Sequence, residues 1–111
     1  MGTLQPGVRD LIARYVAELG RLGVTPTRVV VFGSQARGTA GPLSDIDLLI
    51  VSPAFETLPP PERPRLLARA NRTLLAPIQA LWTTPAALDR ADSASFLRTV
   101  IAEGLEFPLA G

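Results

Sequence analysis

Two short apolar runs and the turn between them limit most of what this chain can become. Val29-Val30-Val31-Phe32 ends in Gly33-Ser34, and ten residues later Asp45-Ile46-Asp47 opens a second run, Leu48-Leu49-Ile50-Val51. Short runs rich in Val and Ile and bounded by Gly and Pro read as buried strands. Val29–Phe32 is therefore predicted as one strand and Asp45–Val51 as the next. The stretch 33–43 holds three Gly and one Pro. It is expected to be turn and loop, with one helical turn after Ser34.

The rest of the chain alternates around this pair. Leu4, Val8, Leu11, Ile12, Tyr15, Val16, Leu19 and Leu22 recur at helical spacing. Asp10/Arg14 and Arg14/Glu18 sit four apart on the polar side, Pro6 suits the first turn, and Gly20 or Gly23 can close the last. Four prolines between Pro53 and Pro61 mark a linker. It leads into a helix over Glu62–Leu75, a third strand over Ile78–Thr83 and a helical turn over Pro85–Arg90. A last helix runs from Ser93 or Ser95, both good N-caps, to Glu103 before Gly104. The pattern predicts an α/β fold: a small mixed sheet of three to four strands flanked by helices. At 111 residues it is expected to form a single domain over 1–111.

Composition removes several chemistries. The chain has no Cys, no His and no Lys, and all eleven of its basic residues are Arg. Disulfides, thiolate–metal centres, a histidine base, Schiff bases and a phosphate-binding lysine are all excluded. Carboxylates, hydroxyls, backbone amides and Arg remain, an inventory suited to a hard cation such as Mg²⁺. A net charge of +1 gives no basic field for nucleic acid. No apolar run approaches the roughly 18 residues of a membrane span. The Met1–Pro6 segment has no signal-peptide character, so a cytoplasmic location is expected. The 47% apolar content fits either a well-filled core or an apolar patch for another subunit.

The spacing of the two acids carries the chemistry. Side chains alternate along a strand, so Asp45 and Asp47 face one way while Ile46 enters the core. Their Cα atoms lie about 6.6 Å apart, and their carboxylates can converge on two ions roughly 3.5–4 Å apart. Two close carboxylates repel unless a cation neutralises them. Gly33 lets the backbone approach a ligand, and the amides behind it, with the Ser34 hydroxyl, can cradle phosphate. Arg37 is placed to brace a phosphate, although an exposed loop arginine is the plainer reading. Ser44 is counted with the nucleotide-binding set, while capping the turn or orienting Asp45 is its more direct role.

Phe32-Gly33-Ser34-Gln35-Ala36-Arg37-Gly38 followed by Ser44-Asp45-Ile46-Asp47-Leu48 resembles the signature of the DNA polymerase β-like nucleotidyltransferases. It is similar in particular to the small "minimal" nucleotidyltransferases of prokaryotes. The motif covers 32–51, and the order of elements matches over most of the chain. The resemblance implies a polymerase β palm-like fold and transfer of a nucleotidyl group from a nucleoside triphosphate, AMP from ATP in the expected case. It implies two Mg²⁺ ions held by Asp45 and Asp47 as catalytic and metal ligands, with Gly33, Ser34, Arg37 and Ser44 binding nucleotide. Many small members are antitoxins paired with an all-helical HEPN-domain protein, and some modify that partner with AMP.

One position departs from the pattern. Active members commonly carry a third carboxylate on a neighbouring strand, and here that position aligns with Gln79. A neutral amide there would slow catalysis, leave it to be completed by a partner's residue, or give a nucleotide-binding or purely interacting protein that neutralises a HEPN-type partner. Glu56 is the nearest later acid. An off-by-one register would instead make Gln79 an ordinary solvent-facing residue. The chain is too short to hold an acceptor domain, so the acceptor is expected on another chain, with oligomer formation left open. Arg65, Arg69 and Arg72 share a helical face with Arg63 nearby, either a solvated face or a docking stripe. Action on nucleic acid is a further reading, disfavoured by the near-neutral charge.

Overall fold

The computed structural model describes residues 4–41, 44–75 and 77–109. The end of the predicted loop at Pro42–Leu43 and the first three residues lie outside the described residues. The elements run α1 (Pro6–Arg21), β1 (Arg28–Phe32), α2 (Ser34–Arg37), β2 (Ile46–Val51) and α3 (Ala54–Thr57). They continue with α4 (Glu62–Leu74), β3 (Ile78–Thr83), α5 (Pro85–Asp89), α6 (Phe96–Glu103) and β4 (Leu105–Glu106).

The strands form one mixed sheet in the order β3-β2-β1-β4. β1 is antiparallel to β2 and to β4, while β2 and β3 run parallel. The parallel pair needs a crossover, supplied by α3 and α4. Even positions of β2 and odd positions of β1 face α1 and α4. There Ile12, Tyr15, Leu19, Val29, Val31, Leu48 and Ile50 are fully buried. Each such side chain contributes about 1.5–3 kcal/mol of hydrophobic stabilisation. The Tyr15 hydroxyl, taken out of water, donates to Leu67 O at 3.2 Å and ties α1 to α4. Val30, Leu49 and Val51 face the other way, against Leu88 of α5 and Val100 of α6.

Helix α1 ends as its sequence foretells. Gly23 takes φ +96°, Val24 N–H donates to Leu19 O at 2.8 Å and Gly23 N–H to Gly20 O at 3.1 Å. This is the paired closure that a left-handed glycine permits. The expected Asp10–Arg14 pair forms at 3.1 Å. Glu18, however, pairs with Arg21 at 3.6 Å rather than with Arg14.

Two further expectations are corrected, and the sheet reaches the upper of the expected strand counts. The proline linker contains α3, whose Phe55 is fully buried and stacks at 5.5 Å from Trp82. The second strand begins at Ile46, so Asp45 lies one residue ahead of it. A fourth strand, β4, follows α6 without a loop. Gly104 makes this possible, because a Cβ there would sit 2.6 Å from Val100 O and 2.8 Å from Val31 O. Among the described residues no helix is long and apolar enough to cross a membrane.

Candidate active site

The site forms where β1 ends and β2 begins, on the sheet face opposite α1 and α4. Phe32 and Asp47 are direct partners in the antiparallel ladder, so the turn after β1 lies beside the first acid of β2. Gly33 adopts φ +70° and ψ −148°, open to glycine alone. A Cβ there would collide with Asp47 Oδ2. Glycine is thus required twice, by its dihedrals and by the carboxylate against its backbone.

Gly33 also serves as the N-cap of α2. The turn closes with Arg37 N–H donating to Gly33 O at 3.1 Å and Thr39 N–H to Ser34 O at 3.0 Å. Gly38, left-handed at φ +75°, ends it. The first amides of such a turn have no intrahelical acceptor. Ser34 opens α2 directly after Gly33, whose backbone lies against the Asp47 carboxylate.

Asp45 is exposed and Asp47 half-buried. Among the described residues neither acid is in an ion pair. Burial pushes the Asp47 carboxyl above the ordinary aspartate range; the Asp45 charge adds to the rise and the Arg37 guanidinium opposes it. That sensitivity to Asp45 and Arg37 brings both charges into the same neighbourhood. Gln79 is the register partner of Asp47 on β3, and its Nε2 donates to Asp45 Oδ2 at 2.8 Å. The register is therefore not off by one. Gln79 occupies the neighbouring-strand position that faces the two acids, and it engages one of them.

Other candidates fall away from this centre. Ser44 Oγ accepts from Gly41 N–H at 2.8 Å and Ser44 N–H donates to Gly41 O at 3.1 Å, so its hydroxyl caps the loop. Glu56 lies on α3, past the opposite end of β2. Arg63 leaves the proposed stripe: its guanidinium lies 4.9 Å over the Trp82 ring and donates to Leu58 O at 3.1 Å. Arg65 pairs with Glu62 at 3.1 Å, while Arg69 and Arg72 are exposed. Sequence reasoning missed Phe96, which is 59% exposed at the start of α6 and meets Phe32 edge-on at 6.0 Å. Its apolar periodicity marked a helix without revealing which side stays open.

The donor set fits Mg²⁺ by chemistry: two carboxylates of hard oxygen, with no nitrogen or sulfur ligand. Burial first and the Asp45 charge second raise the proton affinity of Asp47, with Arg37 opposing them, and a bound cation would offset both. Among the described residues no third acidic group joins the pair. The set carries two negative charges where a triad would carry three.

The nucleotidyltransferase domain model matches residues 10–94 of this chain, a span that includes the glycine turn, both acids and Gln79. The chain belongs to the nucleotidyltransferase domain family. No curated protein matches the sequence. Solved structures with the same fold include a toxin–antitoxin with AMP-PNP, at TM-score 0.58 and 21% identity, covering 89% of this chain and 71% of that one. A protein from Sulfolobus solfataricus described as a nucleotidyltransferase has TM-score 0.58 and 21% identity, covering 96% of this chain and 90% of that one. Membership of the nucleotidyltransferases makes nucleotidyl transfer the general chemistry of this fold. The four-stranded mixed sheet with flanking helices is the architecture the two solved structures share with it.

Proposed function

We propose that this nucleotidyltransferase moves AMP from ATP to a hydroxyl of a protein partner, as the small, antitoxin-type subunit of a two-component system with an all-helical HEPN-type protein. The observation that carries the reading is Asp47 packed under Gly33, with Asp45 close to it and neither acid in an ion pair among the described residues. Asp45 and Asp47 would hold Mg²⁺, which when bound neutralises phosphate charge and raises the acidity of the attacking hydroxyl. The amides after Gly33 and the Ser34 hydroxyl donate hydrogen bonds to the triphosphate oxygens, and Arg37 balances their charge. Gln79 fixes one oxygen of Asp45 and so limits how that carboxylate can turn. The acceptor oxygen bonds to the α-phosphorus as the bond to pyrophosphate breaks, and the hydroxyl proton passes to solvent.

A partner is favoured by the openness of the site. Beside the acids the described residues leave an exposed face. The adjacent hollow of about 170 Å³, lined by Phe32, Gly33, Arg37 and Phe96 among others, is too small for a whole nucleotide. One of the solved structures that share this fold is of a toxin–antitoxin with AMP-PNP, which supports both a protein partner and an adenine nucleotide here.

A second reading rests on Gln79. With an amide in the third position the chain binds nucleotide and partner without turnover, since losing a general base costs about 10²–10⁴ in rate. Incubation with α-labelled ATP, Mg²⁺ and the separately purified helical partner decides. Transfer of label that is abolished by Asp45→Asn supports the enzyme. Absence of transfer that is restored by Gln79→Glu supports the impaired binder. Absence in both sinks the transferase reading.

A further inference from the structure

The β3 edge of the sheet is open, and its residues suit one kind of mate. Ile46 N–H donates to Pro77 O at 2.8 Å and Ser52 N–H to Thr83 O at 3.0 Å. In a parallel ladder this turns the backbone groups of residues 77, 79, 81 and 83 toward β2. Ile78, Ala80 and Trp82 therefore turn theirs outward. Asn71 Nδ2 donates to Ile78 O at 3.0 Å, and among the described residues nothing engages the N–H and C=O groups of Ala80 and Trp82 or the N–H of Ile78 on the outer edge. Unpaired edges of this kind are normally blunted by charge, proline, a bulge or brevity. β3 has six residues, no charge, no proline and an unbroken register.

We propose that β3 pairs antiparallel with β3 of a second copy of this chain, about a two-fold axis through Leu81, to give a continuous eight-stranded sheet. With that axis Ala80 and Trp82 exchange hydrogen bonds with Trp82 and Ala80 of the other copy, using the outward groups of both residues. Leu81 is 42% exposed in mid-strand, and it meets its own equivalent on the carboxylate face at the close, non-hydrogen-bonded position. On the opposite face the small Ala80 gives room to the other copy's Trp82. A groove of about 450 Å³ runs along this edge between Trp82 and the α4 side chains Pro64 and Ala68, and the second copy covers it. An uncharged strand is what a self-pairing contact needs, because any charge at the axis would face itself. Both carboxylate pairs then open on one face of a single sheet, while the proposed transfer chemistry is left untouched.

Sedimentation of the full chain up to about 100 μM tests this without nucleotide or any other protein. The expected species has twice the 11.8 kDa chain mass. Hydrogen exchange at the Ala80 and Trp82 amides should slow as concentration rises. Leu81→Lys and Leu81→Glu, at an exposed position, should each weaken the dimer at least tenfold. Mixing the two variants should restore it as a one-to-one pair, which only a contact of position 81 with itself explains. A monomer throughout the range overturns the proposal and assigns the edge to a different polypeptide. A dimer indifferent to both charges, or a mixture that stays monomeric, overturns it as well.

Discussion

The two faces of the sheet are made by the same strands and do opposite things. On the α1/α4 face Ile46, Leu48 and Ile50 join Val29 and Val31 under complete cover. On the other face the same β2 carries Asp47 at its start and Leu49 and Val51 further along. There only the far part is roofed, by Leu88 and Val100. One face gathers stability. The other leaves its acid-bearing end open and accepts a close carboxylate pair. Substitutions should therefore separate: those behind the sheet cost stability, and those in front cost function and can even gain stability.

The largest effect is expected behind the sheet. Leu48→Ala should destabilise the fold by about 2–5 kcal/mol, read by urea denaturation, while the folded fraction still binds nucleotide. If Leu48→Ala left stability unchanged, the division of labour would be wrong.

Gly33→Ala strikes the seam between the two faces. Forcing a Cβ into φ +70° costs about 1–3 kcal/mol in backbone strain, and the new methyl meets the Asp47 carboxylate. ATP with Mg²⁺ should raise the melting temperature of the parent chain and leave this variant unmoved. A retained ATP shift would mean that the turn does not approach the ligand.

Asp47→Asn gives the smallest change and the most telling sign. A carboxyl whose folded proton affinity is raised adds stability below its ordinary value of 3.8 and loses that contribution as pH rises through the folded value. At neutral pH the ionised Asp47 is therefore a cost that Asn removes. The variant should melt slightly higher than the parent at pH 7, by no more than about 5 °C. The gain should vanish as the pH falls to the ordinary carboxylate range. A lower melting point at pH 7 would show that Asp47 is held by favourable partners and is not strained by Asp45 and burial.

Much of this architecture is legible residue by residue. The Val29–Phe32 and Ile78–Thr83 runs, the helix from Glu62 and the Ser95 cap all follow from apolar periodicity and local hydrogen-bonding preferences, which act over a few neighbours. So does the pairing of Gly33 with Asp47, because a motif of fixed spacing encodes it. α3 was hidden by its prolines, which mark a boundary yet also suit the first turn of a short helix. β4 was hidden by its length, since two residues carry no period.

Local pattern alone thus determined the order of the longer elements, the two acids at the start of β2 and the glycine that must face Asp47. The sheet order decided the rest: that Gln79 would grip Asp45, that Arg63 would leave its helical stripe for Trp82, and that β3 would lie uncovered at an edge. The first two depend on contacts between residues far apart in the chain, Gln79 with Asp45 and Arg63 with Trp82. Such contacts are set by the packing of whole layers and leave no trace in the neighbouring residues.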